Sequence, residues 1–117
     1  MLIQKPLFCD IVGMYKFAIE EGANNFNHFL KLLDNPKEFN NGCCTAFTAY
    51  YAPLIENCEV VDSNMFMDVL QDNIKGYDYG SNWHEFIKKD DKFYDLEALA
   101  GVDCVTKLPF FIRLKNK

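Results

Sequence analysis

The chain has 117 residues, half of them hydrophobic and 15% aromatic. That is enough apolar mass for one packed domain and too much for a disordered segment. Acidic side chains number 17 and basic ones 12, for a net charge of −5, which argues against direct nucleic-acid binding because that needs a basic face.

No apolar stretch approaches the roughly 20 residues of a membrane span. The first ten residues do not resemble a secretion signal. A cytoplasmic protein without membrane contact is therefore expected. The cysteines Cys9, Cys43, Cys44, Cys58 and Cys104 are odd in number and lack C-x-x-C spacing. Five reduced thiols are expected. Cys43 and Cys44 are neighbours and would point about 100° apart on a helix, which disfavours a shared ion. No phosphate loop or calcium loop pattern occurs, so no metal or cofactor is expected.

Helical spacing dominates between the Gly, Pro and Asn marks. The spacing predicts a first helix over 7–21, with Phe8, Ile11, Val12, Tyr15, Ala18 and Ile19 at three- and four-residue steps and Gly22 as its stop. A second covers 25–34, lined by Phe26, Phe29, Leu30 and Leu33 and stopped by Pro36. A third covers 43–57, with Pro53 kinking it or ending it early. The fourth starts on Ser63 and runs to Lys75, with a stripe of Met65, Phe66, Val69, Leu70 and Ile74 before Gly76. A fifth begins at Ser81 or Asn82 and turns Trp83, Phe86 and Ile87 inward. A sixth covers 91–100, and Asp90-Asp91 reads as the solvated junction between the two.

The tail alternates: Leu108, Phe110, Ile112 and Leu114 against Pro109, Phe111, Arg113 and Lys115. A period of two predicts a strand. It needs a partner in Leu2-Ile3, in Glu59-Val60-Val61, or in another chain. The expected fold is mainly α, a compact bundle of five to six helices in one domain (1–117), with room for a small C-terminal β element. A monomer or homodimer fits.

A thiol enzyme needs Cys near His, with a third group orienting the imidazole. Cys44 opens a helix-like run after Asn41-Gly42, where a helix start lowers a thiol pKa. His84 has Glu85 or Asp78 as an orienter, although a plain surface position is the simpler reading. His28 lies off its apolar stripe and reads as exposed. No catalytic residue is assigned from the sequence.

Charge distribution carries more. Residues 56–80 hold Glu56, Glu59, Asp62, Asp68, Asp72 and Asp78 against Lys75 alone, so the whole net charge sits in one stretch. Asp68 and Asp72 are one helical turn apart, off the apolar stripe. Next come Tyr77, Asp78, Tyr79 and Trp83 in a glycine-marked loop. Tyrosine and tryptophan anchor interfaces, and an acidic face steers a basic partner.

In design, Glu56 to Trp83 resembles the small acidic immunity proteins that bacteria make against their own toxins, of the contact-dependent-inhibition or colicin type. The colicin type pairs acidic side chains with a Tyr-Tyr element, which Asp78 splits here. The resemblance implies a binding protein that neutralises a basic toxin domain, of nuclease type. Its contacts would be Glu59, Asp62, Asp68, Asp72, Tyr77, Asp78, Tyr79 and Trp83. The alternatives are a phage anti-defence inhibitor mimicking nucleic acid, a small thiol-dependent enzyme using Cys44 or Cys43, and a regulatory helical domain.

Overall fold

The computed structural model describes every residue of the chain except Tyr79 and Ser81. The first helix, α1 (Phe8–Ala18), begins where Asp10 turns back to accept the Leu7 N–H at 3.0 Å. That reciprocal contact satisfies one of the donors that a helix start leaves open. A 3-10 turn (Ile19–Glu21) follows, and Gly22 at φ 107° ends it, as the sequence predicts. The core selects the side of α1 bearing Met14 and Ala18, with Ile11 and Tyr15 partly covered. Phe8, Val12 and Ile19 stay exposed. The stripe was wider than the face that the neighbouring layer can cover.

The second helix, α2 (Phe26–Leu33), is capped by Asn25, whose side chain accepts the His28 N–H at 2.8 Å. Pro36 does stop α2, but it also opens α3 (Pro36–Gly42) as a first-turn residue. Proline lacks only an N–H that has no partner there. The next helix, α4 (Cys44–Tyr51), passes into a 3-10 turn at Ala52–Leu54, so Pro53 ends it early. Gly13 lets α4 approach α1 closely: a Cβ there would overlap the Tyr50 ring. Tyr50 in turn donates its hydroxyl proton to Asp10 at 2.7 Å.

The second half departs from the sequence expectation. Strands β1 (Glu59–Asp62), β2 (Glu85–Lys89) and β3 (Lys92–Tyr94) form one antiparallel sheet in the order β1-β2-β3. Val61 faces Phe86 and Ile87 faces Tyr94 across the pairs. The helix expected after Asn82 is β2, and the helix expected over 91–100 is β3 followed by turns. The supposed junction Asp90-Asp91 is the two-residue hairpin loop, with both residues at positive φ, 51° and 62°. Such a turn matches the twist of paired strands, and Asp tolerates it better than most residues.

Between β1 and β2 the chain turns through a 3-10 segment (Ser63–Phe66) into α5 (Met67–Asn73). Asp62, rather than Ser63, caps it by accepting the Asn64 N–H at 2.8 Å. The tail expected as a strand is α6 (Pro109–Lys115). Pro109 sits in its first turn, and Leu108, Phe110 and Phe111 are buried.

The sheet separates two apolar clusters. Ile87 and Tyr94 join Met14, Phe29, Phe39 and Phe47 of the first four helices. On the other face, Val61, Phe86 and Phe93 join Leu70, Leu108 and Phe111. The architecture is thus a mixed α/β sandwich, helices on both faces of a small antiparallel sheet, and not a mainly helical bundle. No helix among the described residues is long and apolar enough to cross a membrane.

Candidate active site

The residue just ahead of β2 is His84, fully buried. Its backbone is pinned by Ser63, whose hydroxyl accepts the His84 N–H at 2.8 Å and donates to the His84 carbonyl at 3.1 Å. Its ring lies flat on Phe110, with centroids 4.4 Å apart and planes 14° apart. Ring Nε2 is 2.8 Å from Oδ2 of Asp95, which follows β3 and is equally buried. The other Asp95 oxygen, Oδ1, accepts the Glu97 N–H at 2.9 Å. The hairpin sets this pair: two strands joined by a tight loop carry His84 and Asp95 to one face. A buried imidazole and carboxylate that hydrogen-bond each other avoid the cost of isolated buried polar groups.

The remaining ring nitrogen, Nδ1, is buried and has no hydrogen-bond partner. In the neutral tautomer whose Nε2–H donates to Asp95, Nδ1 carries a lone pair, the arrangement of a general base held by a carboxylate.

Cys44 opens α4, the helix packed on β2. Its thiol lies against the Glu85 N–H, one residue beyond His84. Burial pushes this thiol up to about 12, with the Glu21 and Glu85 carboxylates adding to the rise. Cys43 is raised for the same reasons, burial first and Glu21 second. The helix start predicts a lowered thiol pKa, and in this arrangement burial and two anions outweigh it. Cys44 and His84 are not hydrogen-bonded to each other. Thr48, one turn along α4, donates its hydroxyl proton to Glu85, with the Thr45 carbonyl as a longer alternative acceptor at 3.2 Å.

Asp95 is the residue that sequence reasoning missed. Glu85 and Asp78 were the orienters considered for His84, but Glu85 turns to the opposite face of β2 toward Thr48 and Asp78 remains in its loop. The available signal was a second acid just past an Asp-Asp hairpin, two positions out of register with the histidine. His84 itself is not a surface residue. His28 is half-buried, and its Nδ1 accepts the Asn24 N–H at 3.1 Å.

The residues expected to form an acidic interface differ in burial. Glu59 on the edge strand β1 and Asp68 and Asp72 on α5 are exposed, and Asp62 is half-buried in its capping role. Met65, in the 3-10 segment before α5, and Val69, on α5, are exposed as well. Tyr77 is not an exposed anchor: it is buried, packs on Phe111, and donates its hydroxyl proton to the Asn82 carbonyl at 3.0 Å. Asp78 is exposed and accepts the Gly80 N–H at 3.1 Å. Tyr79 lies outside the described residues. Trp83, 38% exposed, lines an open groove of about 750 Å³ whose other walls carry Lys37, Arg113 and Lys117.

Among the described residues no three His, Cys, Asp or Glu side chains are placed to hold a metal ion. Compared with known proteins, the chain matches no family model, no curated protein and no solved structure.

Proposed function

We propose that the chain is a small thiol-dependent acyl hydrolase, with Cys44 as nucleophile, His84 as general base and Asp95 as the group that orients the imidazole. One observation carries this reading: the buried His84–Asp95 hydrogen bond, which leaves Nδ1 unpartnered on the residue just before Glu85, whose N–H meets the Cys44 thiol. A purely structural histidine would gain by using both nitrogens.

The chemistry follows from these atoms. Nδ1 takes the Cys44 proton while Asp95 stabilises the imidazolium formed. The thiolate sulfur attacks an acyl carbonyl, and the leaving amine or alcohol departs with the proton returned by Nδ1, leaving a thioester. Water, deprotonated by Nδ1, then cleaves the thioester and restores the thiol. In the resting arrangement the sulfur sits on the Glu85 N–H, so reaction requires it to meet Nδ1, at about 3–3.5 Å for efficient transfer.

Competitive labelling with iodoacetamide at neutral pH, read by mass spectrometry, tests this assignment. Burial alone ranks exposed Cys9 first and buried Cys43 and Cys44 last. Pairing with His84 reverses the order, and His84→Gln restores it. If Cys44 in the folded chain labels no faster than Cys9, the assignment fails.

A second reading has its own support. The exposed surface that combines Asp68, Val69 and Asp72 of α5 with Met65 of the preceding 3-10 segment suits a basic protein partner, as in a toxin-immunity complex. Asp68→Lys with Asp72→Lys should then slow association about tenfold or more at low salt, with little change at 0.5 M. Binding of a basic partner that ignores both changes removes this face.

A further inference from the structure

The groove beside Trp83 is built from segments that lead into both reacting side chains. Lys37, Glu38 and Asn41 come from α3, which ends just before Cys44. Asn82 and Trp83 immediately precede His84. Phe110 lines the groove and lies stacked on the His84 ring, so a single aromatic side chain separates the groove from the imidazole. The remaining wall is α6, through Ile112, Arg113 and Leu114.

The electrostatics of this groove oppose those of the whole molecule. The chain is at −5, yet among the described residues the groove is lined by Lys37, Lys117 and Arg113, the last paired with Glu97, against Glu38. Arg113 is fixed in place: its Nη1 is 3.0 and 2.9 Å from the two Glu97 oxygens, and Glu97 is itself tied through its N–H to Asp95. Its Nη2 is buried with no hydrogen-bond partner. The Arg113 side chain keeps 30% of its surface open, so a carboxylate in the groove would meet the exposed part of the guanidinium. Trp83, Phe110, Ile112 and Leu114 supply the apolar surface. A volume of about 750 Å³ falls within the ~300–1,000 Å³ usual for ligand sites.

Resting on the assignment of Cys44 as nucleophile, we propose that this groove binds the substrate and that the substrate is an acidic peptide. A carboxylate side chain is held by Arg113, with Lys37 and Lys117 adding long-range attraction, and an apolar side chain packs on Trp83. Displacement of Phe110 by the bound chain then uncovers the His84 ring. The Asp95–Glu97–Arg113 connection ties the substrate carboxylate to the carboxylate that orients the imidazole.

The chain has one tryptophan, so its emission reports this groove alone. The full-length Cys44→Ser protein is titrated with two end-capped tetrapeptides, Glu-Leu-Glu-Leu and Lys-Leu-Lys-Leu. The acidic peptide should shift Trp83 emission and saturate, and the basic one should not. Exposed Lys37 and Lys117 changed together to Glu should weaken the acidic peptide about tenfold or more without loss of fold. Arg113→Met should do the same if the protein remains folded by circular dichroism. Equal response to both peptides, or none to either, overturns the groove assignment. The two proposals fail separately: saturable acidic-peptide binding with an inert Cys44 keeps the groove and ends the thiol reading. A reactive Cys44 with no peptide response does the opposite.

Discussion

Glu21 occupies the place where α4 begins. Its carboxylate lies beside the Thr45 hydroxyl and the Ala46 N–H, both of which lower its pKa, while burial raises it by more and nearby Glu85 adds to the rise. One oxygen, Oε1, is buried with no hydrogen-bond partner. The folded protein therefore holds the Glu21 proton more tightly than the unfolded chain does, relative to an ordinary value of 4.5. Stability from this group is full below that value and falls as pH rises through the raised one. Glu21→Gln keeps an acceptor for the helix start and carries no charge to bury. Urea unfolding from about pH 4 to pH 8 should show the variant gaining on the natural protein as pH rises, with the two meeting at the acid end. Parallel curves would mean that Glu21 does not titrate in this range. The same substitution removes one of the two anions that raise Cys44, so it should also speed Cys44 alkylation. At this scale the sequence was legible in its residue types and blind to their depth. Five cysteines and two histidines were visible as candidates, but nothing local says that His84 is buried and Cys9 is not.

The elements show where periodicity succeeds and fails. The first two helices are readable because each buries one side, so that Ala18 and Phe29 of the predicted stripes are buried, although Met14, fully buried on α1, lies outside the predicted stripe. The central strand β2 is buried on both faces, Phe86 toward one cluster and Ile87 toward the other. Adjacent apolar residues erase the alternation that marks a half-buried strand, and the remainder imitates a helix. The error in α6 is the mirror image. Leu108, Phe110, Ile112 and Leu114 alternate by coincidence, yet Ile112 is exposed and Phe111, which belonged to the other set, is fully buried. Pro109 was the better guide, because a proline just ahead of an apolar run suits a first helical turn and interrupts a paired strand. Asp90-Asp91 was the missed hinge of the whole second half. Read as a two-residue hairpin, it converts both flanking segments to strands and brings His84 and Asp95 to one face. The acidic stretch was read correctly as exposed on α5, whereas Tyr77 went inward because the ring fills space beside Phe111.

The whole molecule places its chemistry at the join between layers. Cys44 belongs to the helical layer on one face of the sheet, and the His84 ring packs with Phe86, Phe110 and Phe111 on the other. Uncovering Nδ1 is then a question of which layer yields. The first four helices share a cluster built around Met14, Phe29, Phe39 and Phe47, all essentially without exposure. The covering on the far face is lighter: α5 and α6 have seven residues each, and isolated helices that short do not persist without packing. Backbone amides of β2, buried on both faces, should exchange with solvent only when the protein unfolds globally, whereas those of α6 should exchange through a smaller local opening. Hydrogen exchange read by mass spectrometry distinguishes the two. The expected result is α6 amides exchanging at least about tenfold faster than those of β2 and α4, a difference of some 1.4 kcal/mol in opening free energy. Local release of α6 would lift Phe110 from the imidazole while leaving the His84–Asp95 bond in the sheet, the motion that access to Nδ1 requires. Exchange in α6 as slow as in β2 would make the sandwich a single cooperative unit. The buried histidine would then be a structural member of its core.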